Sequence, residues 1–157
     1  MPTKVLMVCL GNICRSPLAE GILQSKLSKD ICLVDSAGTG NWHAGEAPDK
    51  RSIAAAKNHG LDISQQRCRQ IKQSDFSNFD YIYVMDNSNY TNVLAIAPSE
   101  TSKSKVKVIL NELHPNQNLE VPDPYWGNSN DFENVYQILD EVCEVIAQQI
   151  KSKKITV

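Results

Sequence analysis

The sequence predicts an α/β fold built on a parallel sheet, and three observations carry that reading. Short apolar runs suited to buried strands recur along the chain, stretches with helical apolar spacing stand between them, and 157 residues suffice for one domain. A chain of this length buries roughly 70% of the surface its unfolded form exposes, so a core forms without disulfides or metal. One domain over residues 1–157 is the expectation.

Val5 to Val8 is a continuous apolar run between Lys4 and Gly11, the pattern of a strand covered on both faces. A helix signal follows at once. Ser16 reads as its cap, Pro17 as its first residue, and Leu18, Ile22, Leu23 and Leu27 as one apolar face. Cys32 to Val34 makes a second strand ending at Asp35-Ser36-Ala37-Gly38, and a Gly-, Asn- and Pro-containing loop leads to Pro48. Residues 49–59 read as a helix stopped by Gly60. Phe79 to Met85 is a third strand by aromatic and β-branched content, Asn87 to Ala97 a helix ended before Pro98, and Val106 to Leu110 a fourth strand. The segment 99–105 is a polar connector. Apolar residues from Phe132 through Leu139 and Ile146 to Ile150 lie at helical spacing, and the lysine-rich 151–154 reads as a solvated end.

Composition narrows the function classes. Sixteen basic side chains face eighteen acidic ones, for a net charge of −2, with a pI near 5.9. That balance gives no global attraction for nucleic acid or anionic lipid, so an anionic ligand must be captured locally. The five cysteines, Cys9, Cys14, Cys32, Cys68 and Cys143, show no Cys-x-x-Cys spacing, which argues against zinc. No metal and no cofactor is expected. The N-terminus is interrupted too early by Gly11, Asn12 and Arg15 for a signal peptide, and no run reaches the length of a membrane span. The expected setting is the cytoplasm with reduced thiols, and Asn89-Tyr90-Thr91 carries no glycosylation meaning there.

The turn leaving the first strand, Cys9-Leu10-Gly11-Asn12-Ile13-Cys14-Arg15-Ser16, is the candidate site. Ligands of open α/β sheets bind beyond the carboxyl ends of strands, and here backbone amides run into a helix N-terminus that favours an anion. Gly11 lets the chain curl, and Arg15 offers a planar charged fork matched to phosphate oxygens. The nucleotide P-loop is excluded because its second Gly and its Lys are missing. Gly38-x-Gly40 fails as a dinucleotide fingerprint because His43 stands where the third Gly belongs. Cys9 instead places a sulfur at the ring of donors, where the field that holds phosphate also favours the reactive thiolate. Ser16 can donate to that sulfur. The pattern Cys-(x)5-Arg-Ser thus suits a thiolate attacking phosphorus while Arg15 and the amides of residues 10–15 hold the equatorial oxygens.

Such an attack needs a carboxyl group to protonate the leaving oxygen and then to activate water. Asp123, stiffened by Pro122 and Pro124, is the candidate. Asn12 can pin the loop in left-handed geometry, Ser36 lies where it could bond to Asn12, and Asp86 stands after the third strand as a cap or site residue.

The segment 8–21, VCLGNICRSPLAEG, resembles the signature of the low-molecular-weight protein tyrosine phosphatases. The likeness continues through VDSAGTGNWHAGEAPD (34–49), NHG (58–60), FDYIYVMDNSN (79–89) and DPYWG (123–127). It implies a phosphatase I-like three-layer sandwich with sheet order 2-1-3-4, a phosphocysteine intermediate on Cys9, and Asp123 as general acid and then base. It further implies a loop-ordering network of Asn12 and Ser36 with His59 nearby, and aromatic walls from Trp42, Tyr125 and Trp126. Ile13 in place of the Thr of phosphoarginine-selective members points to phosphotyrosine, and Cys14 is the residue the family uses to trap an oxidised nucleophile. Many members carry a His where this chain has Gln65 and Gln66. Phosphotyrosine-bearing proteins are the implied partners, acting on a monomer or weak dimer. Two rivals share parts of the pattern. A thioredoxin-coupled arsenate reductase needs relay cysteines that residues 69–142 lack, and a phosphotyrosine-binding module would not need both Cys9 and Asp123.

Overall fold

The computed structural model of the protein describes residues 1–155. Four parallel strands, β1 (Thr3–Cys9), β2 (Cys32–Gly38), β3 (Tyr81–Val84) and β4 (Val106–Val108), form one sheet in the order β2-β1-β3-β4. Helices α1 (Arg15–Lys26), α2 (Lys50–Asn58), α3 (Asp75–Asn78), α4 (Asn87–Ile96), α5 (Glu100–Lys103) and α6 (Ser129–Ile155) complete the chain, with a 3₁₀ turn at Ile109–Glu112.

The pleat of β1 explains the layering. Val5, Met7 and Cys9 project into a core shared with α1 and α6, while Leu6 and Val8 project into a second core with Ile82, Val84, Val93 and Phe76. Both faces of the central strand are therefore dry, as its unbroken apolar run predicts. Helix α6 lays Phe132, Leu139, Val142, Cys143 and Ile146, each at most 1% exposed, over the sheet and its neighbouring helices. Each such large apolar side chain contributes about 1.5–3 kcal/mol by leaving water. No helix among the described residues is long and apolar enough to cross a membrane.

Several element ends differ from expectation for local reasons. Helix α1 starts at Arg15, and no side chain caps it. Ser16 lies inside the helix with its hydroxyl turned toward Cys9, and Pro17 still falls in the first turn, where no intrahelical N–H is required. Strand β3 begins only at Tyr81 because Phe79 is the C-cap of α3, a single turn too short to register as a periodic pattern. Strand β4 stops at Val108, where Ile109 enters the 3₁₀ turn. The 99–105 connector contains α5, whose N-cap Ser99 accepts a bond from the Ser102 amide. Helix α6 runs past Ile150, so the lysine-rich end is helical, and the exposed Lys153 hydrogen-bonds the Tyr81 hydroxyl there.

Candidate active site

The carboxyl ends of β1, β2 and β3 bring together three loops, and the 10–14 loop lies at their centre. Its carbonyls are held from outside. Those of Cys9 and Leu10 accept from the amides of Thr39 and Gly40, those of Asn12 and Ile13 from the Cys68 thiol and the Asp49 amide, and that of Cys14 from Ser52 Oγ. A curled loop whose carbonyls are engaged on its outer side turns N–H groups inward, the arrangement of an anion nest. Close packing with β2 requires Gly38, since a Cβ there would lie 2.8 Å from the Leu10 carbonyl oxygen. The left-handed residue of the loop is Asn12, at φ 58°, and not Gly11.

Asn12 is 1% exposed and fully bonded. Its Oδ1 accepts from the Arg69 amide at 3.0 Å, which fixes the side-chain amide orientation, and its Nδ2 donates to Ser16 Oγ at 2.8 Å and Ser36 Oγ at 3.0 Å. Because Ser16 Oγ accepts from Asn12, its own proton can go to Cys9 Sγ, 3.0 Å away, or to the Ala37 carbonyl at 3.4 Å. Because Ser36 Oγ likewise accepts from Asn12, it donates to Glu20 Oε1 at 2.7 Å. Burial pushes the Glu20 carboxyl up to about 7, and the charge of Asp35 adds to that rise while the Ser36 bond and Arg69 oppose it.

Arg15 is 3% exposed. One end of its fork is held, with Nη1 donating to Asp86 Oδ2 at 2.7 Å and to the Val121 carbonyl at 3.0 Å. The other end, Nη2, lies 3.7 Å from Asp123 Oδ2. Burial alone would lower the Arg15 pKa, but Cys9, Asp86 and Asp123 outweigh it and raise the value. Asp86 also caps α4 by accepting from the Asn89 amide, so one carboxylate joins the arginine to the end of β3.

Cys9, Leu10, Gly11, Ile13, Cys14 and Arg15 floor a cavity of about 250 Å³, walled by Trp42, His43, Asp123, Tyr125 and Trp126. Trp42 and Trp126 are 67% and 93% exposed and stand at the rim. Tyr125 and Trp126 meet edge to face at 4.9 Å. Asp123 Oδ1 accepts from the Tyr125 amide, closing a tight turn. Arg51 fixes this loop from α2, donating to Asp49 and to the carbonyls of Tyr125 and Gly127 while its guanidinium lies over the Phe132 ring.

Glu20, Arg51, Cys68 and Arg69 are the site neighbours that the sequence does not single out. Cys68 enters there only as one of five cysteines, yet its thiol donates to the Asn12 carbonyl at 2.8 Å, and burial, aided by the charges of Cys9 and Glu46, pushes it up to about 11. Its partner lies 56 residues away, a separation no local pattern encodes. His59 does not join the Asn12–Ser36 network. It lies 2.9 Å from both carboxylate oxygens of Glu133 and stacks on Tyr136. Gln66 donates to the Pro17 carbonyl, and the outer end of the network falls to Glu20. Cys14 is buried, and desolvation first, then Asp49, pushes its thiol up to about 12. Among the described residues no cluster of His, Cys, Asp and Glu is built to hold a metal ion.

Comparison with known proteins follows the same outline. Residues 4–156 match the family model described as low molecular weight phosphotyrosine protein phosphatase. A putative low molecular weight protein-tyrosine-phosphatase of Synechocystis sp. is 42% identical, over 89% of this chain and 91% of that protein. The human low molecular weight phosphotyrosine protein phosphatase is 40% identical, over 93% and 94%. Among solved structures, a protein tyrosine phosphatase from Entamoeba histolytica with Hepes in the active site superposes with a TM-score of 0.88 at 37% identity, covering 97% of this chain and 99% of that one. Vibrio vulnificus Wzb in complex with benzylphosphonate gives 0.85 at 29% identity, covering 94% and 98%. Sequence and architecture agree over nearly the full length, and the chain belongs to the low molecular weight phosphotyrosine protein phosphatases, a family of hydrolases.

Proposed function

We propose that this enzyme hydrolyses phosphotyrosine in cytoplasmic proteins, and small aryl phosphates, through a phosphocysteine on Cys9. The observation that carries the reading is a buried sulfur at the floor of an open cavity that also holds one face of a buried arginine and a half-exposed carboxyl. The Cys9 thiolate attacks phosphorus as the bond to the phenolic oxygen breaks. Arg15 Nη2 and the loop amides take the charge of the equatorial oxygens. Asp123, protonated, gives its proton to the departing phenolate, and as a carboxylate it then takes a proton from the water that displaces Cys9 from phosphorus. Inorganic phosphate leaves, and the thiolate and the protonated Asp123 are restored.

The supporting groups have separable tasks. Ser16 hydrogen-bonds the thiolate, while Asn12 and Ser36 hold the loop. Ile13, Trp42, Tyr125 and Trp126 supply apolar faces for a phenyl ring, in keeping with the benzylphosphonate bound by Wzb. Cys14 stays a thiol at neutral pH, and it can condense with a peroxide-generated Cys9 sulfenic acid to a disulfide with loss of water. The test is Cys9→Ser. It is expected to abolish p-nitrophenyl phosphate turnover while the thermal melt stays cooperative, and retained turnover would refute the covalent route.

A further inference from the structure

A second concavity, of about 530 Å³, opens beside the catalytic pocket, and Leu10 and Trp42 line both. The partition between them is a built feature. The Trp42 indole packs directly on Gly40, where a Cβ would fall 1.9 Å from ring atom Cζ3. Leu10 and Trp42, 42% and 67% exposed, present apolar surface to both concavities. Its far side is set by the segment before α3, with Gln70, Lys72 and Gln73, and by α4, with Asn92.

The chemistry of this groove is that of a peptide site with one charge preference. Lys72 is the sole charged side chain among its lining residues. Lys72 also lines a neighbouring concavity with Asp35 and Asp75, and both carboxylates are already engaged. Asp75 accepts from Arg69 and from the Lys72 amide, and Asp35 pairs with Arg69. The amides of Gln70, Gln73 and Asn92 can both donate to and accept from a main chain, and Gln70 is oriented by its bond to the Thr39 carbonyl. An aromatic ring seated on Cys9 leaves its polypeptide at the pocket rim, where Trp42 and Trp126 stand, and this groove begins on the Trp42 side.

We propose that the groove behind Trp42 holds the substrate polypeptide flanking the phosphotyrosine, and that Lys72 selects substrates with an acidic side chain beside it. The proposal rests on the phosphotyrosine-hydrolase reading and adds the substrate class. A small aryl phosphate fills only the catalytic pocket and does not reach Lys72. The contact is surface-exposed, so the preference is modest and falls with added salt.

The test compares wild type and Lys72→Glu on phosphotyrosine peptides carrying Asp and Glu, neutral residues, or Lys within three residues on either side, with p-nitrophenyl phosphate as control. Wild type is expected to favour acidic over basic peptides by about three- to tenfold in kcat/KM, mostly through KM. Lys72→Glu should abolish or reverse that preference with p-nitrophenyl phosphate turnover unchanged within about twofold. Equal rates for all peptides, or a preference that survives Lys72→Glu, would overturn the proposal. Failure of wild type to hydrolyse p-nitrophenyl phosphate would instead overturn the catalytic reading, and this proposal with it.

Discussion

Asn12 illustrates how one residue can make a reactive loop self-consistent. Its left-handed backbone turns the chain, and its amide sends one proton toward Ser16 and one toward Ser36, which makes Ser16 Oγ an acceptor there and frees its own proton for the nearer Cys9 Sγ or the Ala37 carbonyl. The residue type, its place in the loop and its bond to Ser36 were legible in the sequence, but Cys68 and Arg69 were not, because they reach it from a distant segment that no local pattern ties to the loop. Asp123 belongs to the same scale. Asp123→Ala is expected to slow aryl phosphate hydrolysis by about 10²–10⁴, with the largest losses for poor leaving groups. A leaving-group series measures this, and equal losses across the series would remove Asp123 from the acid role. Glu20 yields a pH prediction. Its carboxyl titrates near 7 when folded and at about 4.3 when unfolded, so the folded state holds a proton that the unfolded chain releases. The resulting stabilisation is complete below about pH 4.3 and is lost as pH rises through 7. Glu20→Gln should shrink the fall in Tm between pH 5 and pH 8 by about 5–10 °C, as thermal melts at the two pH values will record.

At the scale of elements, the β1–loop–α1 unit was readable because it combines a dry strand, a loop rich in anion-binding cues and a helix with a clean apolar face. Helix α3 was not, since four residues carry no period, and the ends of β3 and β4 moved because neighbouring turns captured Phe79 and Ile109. Ser16 shows the deeper limit. A serine before a proline at a helix start is a capping signal, yet here its hydroxyl is needed by the Asn12–Cys9 network. The acid loop depends in turn on α2, because Arg51 ties the carbonyls of Tyr125 and Gly127 to that helix. Arg51→Ala should leave the fold intact and reduce kcat/KM for aryl phosphates by about tenfold, since loss of a loop support misplaces Asp123 relative to the leaving oxygen. Steady-state kinetics beside a thermal melt check this, and a change under twofold would show that the loop holds itself.

Across the whole molecule, charge is nearly balanced at −2, and the proposed phosphate site is concentrated where three strand ends converge. The parallel sheet makes that convergence possible. With strand order β2-β1-β3-β4, Cys9 at the end of the central strand lies between Ser36 on one side and Asp86 on the other. The four strands and the long final helix were legible from their apolar patterning. Their order was given by family resemblance and not by periodicity, because hydropathy does not say which strand lies beside which. The most direct measurement is mass mapping of enzyme quenched in acid during turnover of an aryl phosphate. A phosphate adduct on Cys9, absent in Cys9→Ser, is predicted. Turnover with no adduct on Cys9, or with the adduct on another residue, would contradict the account.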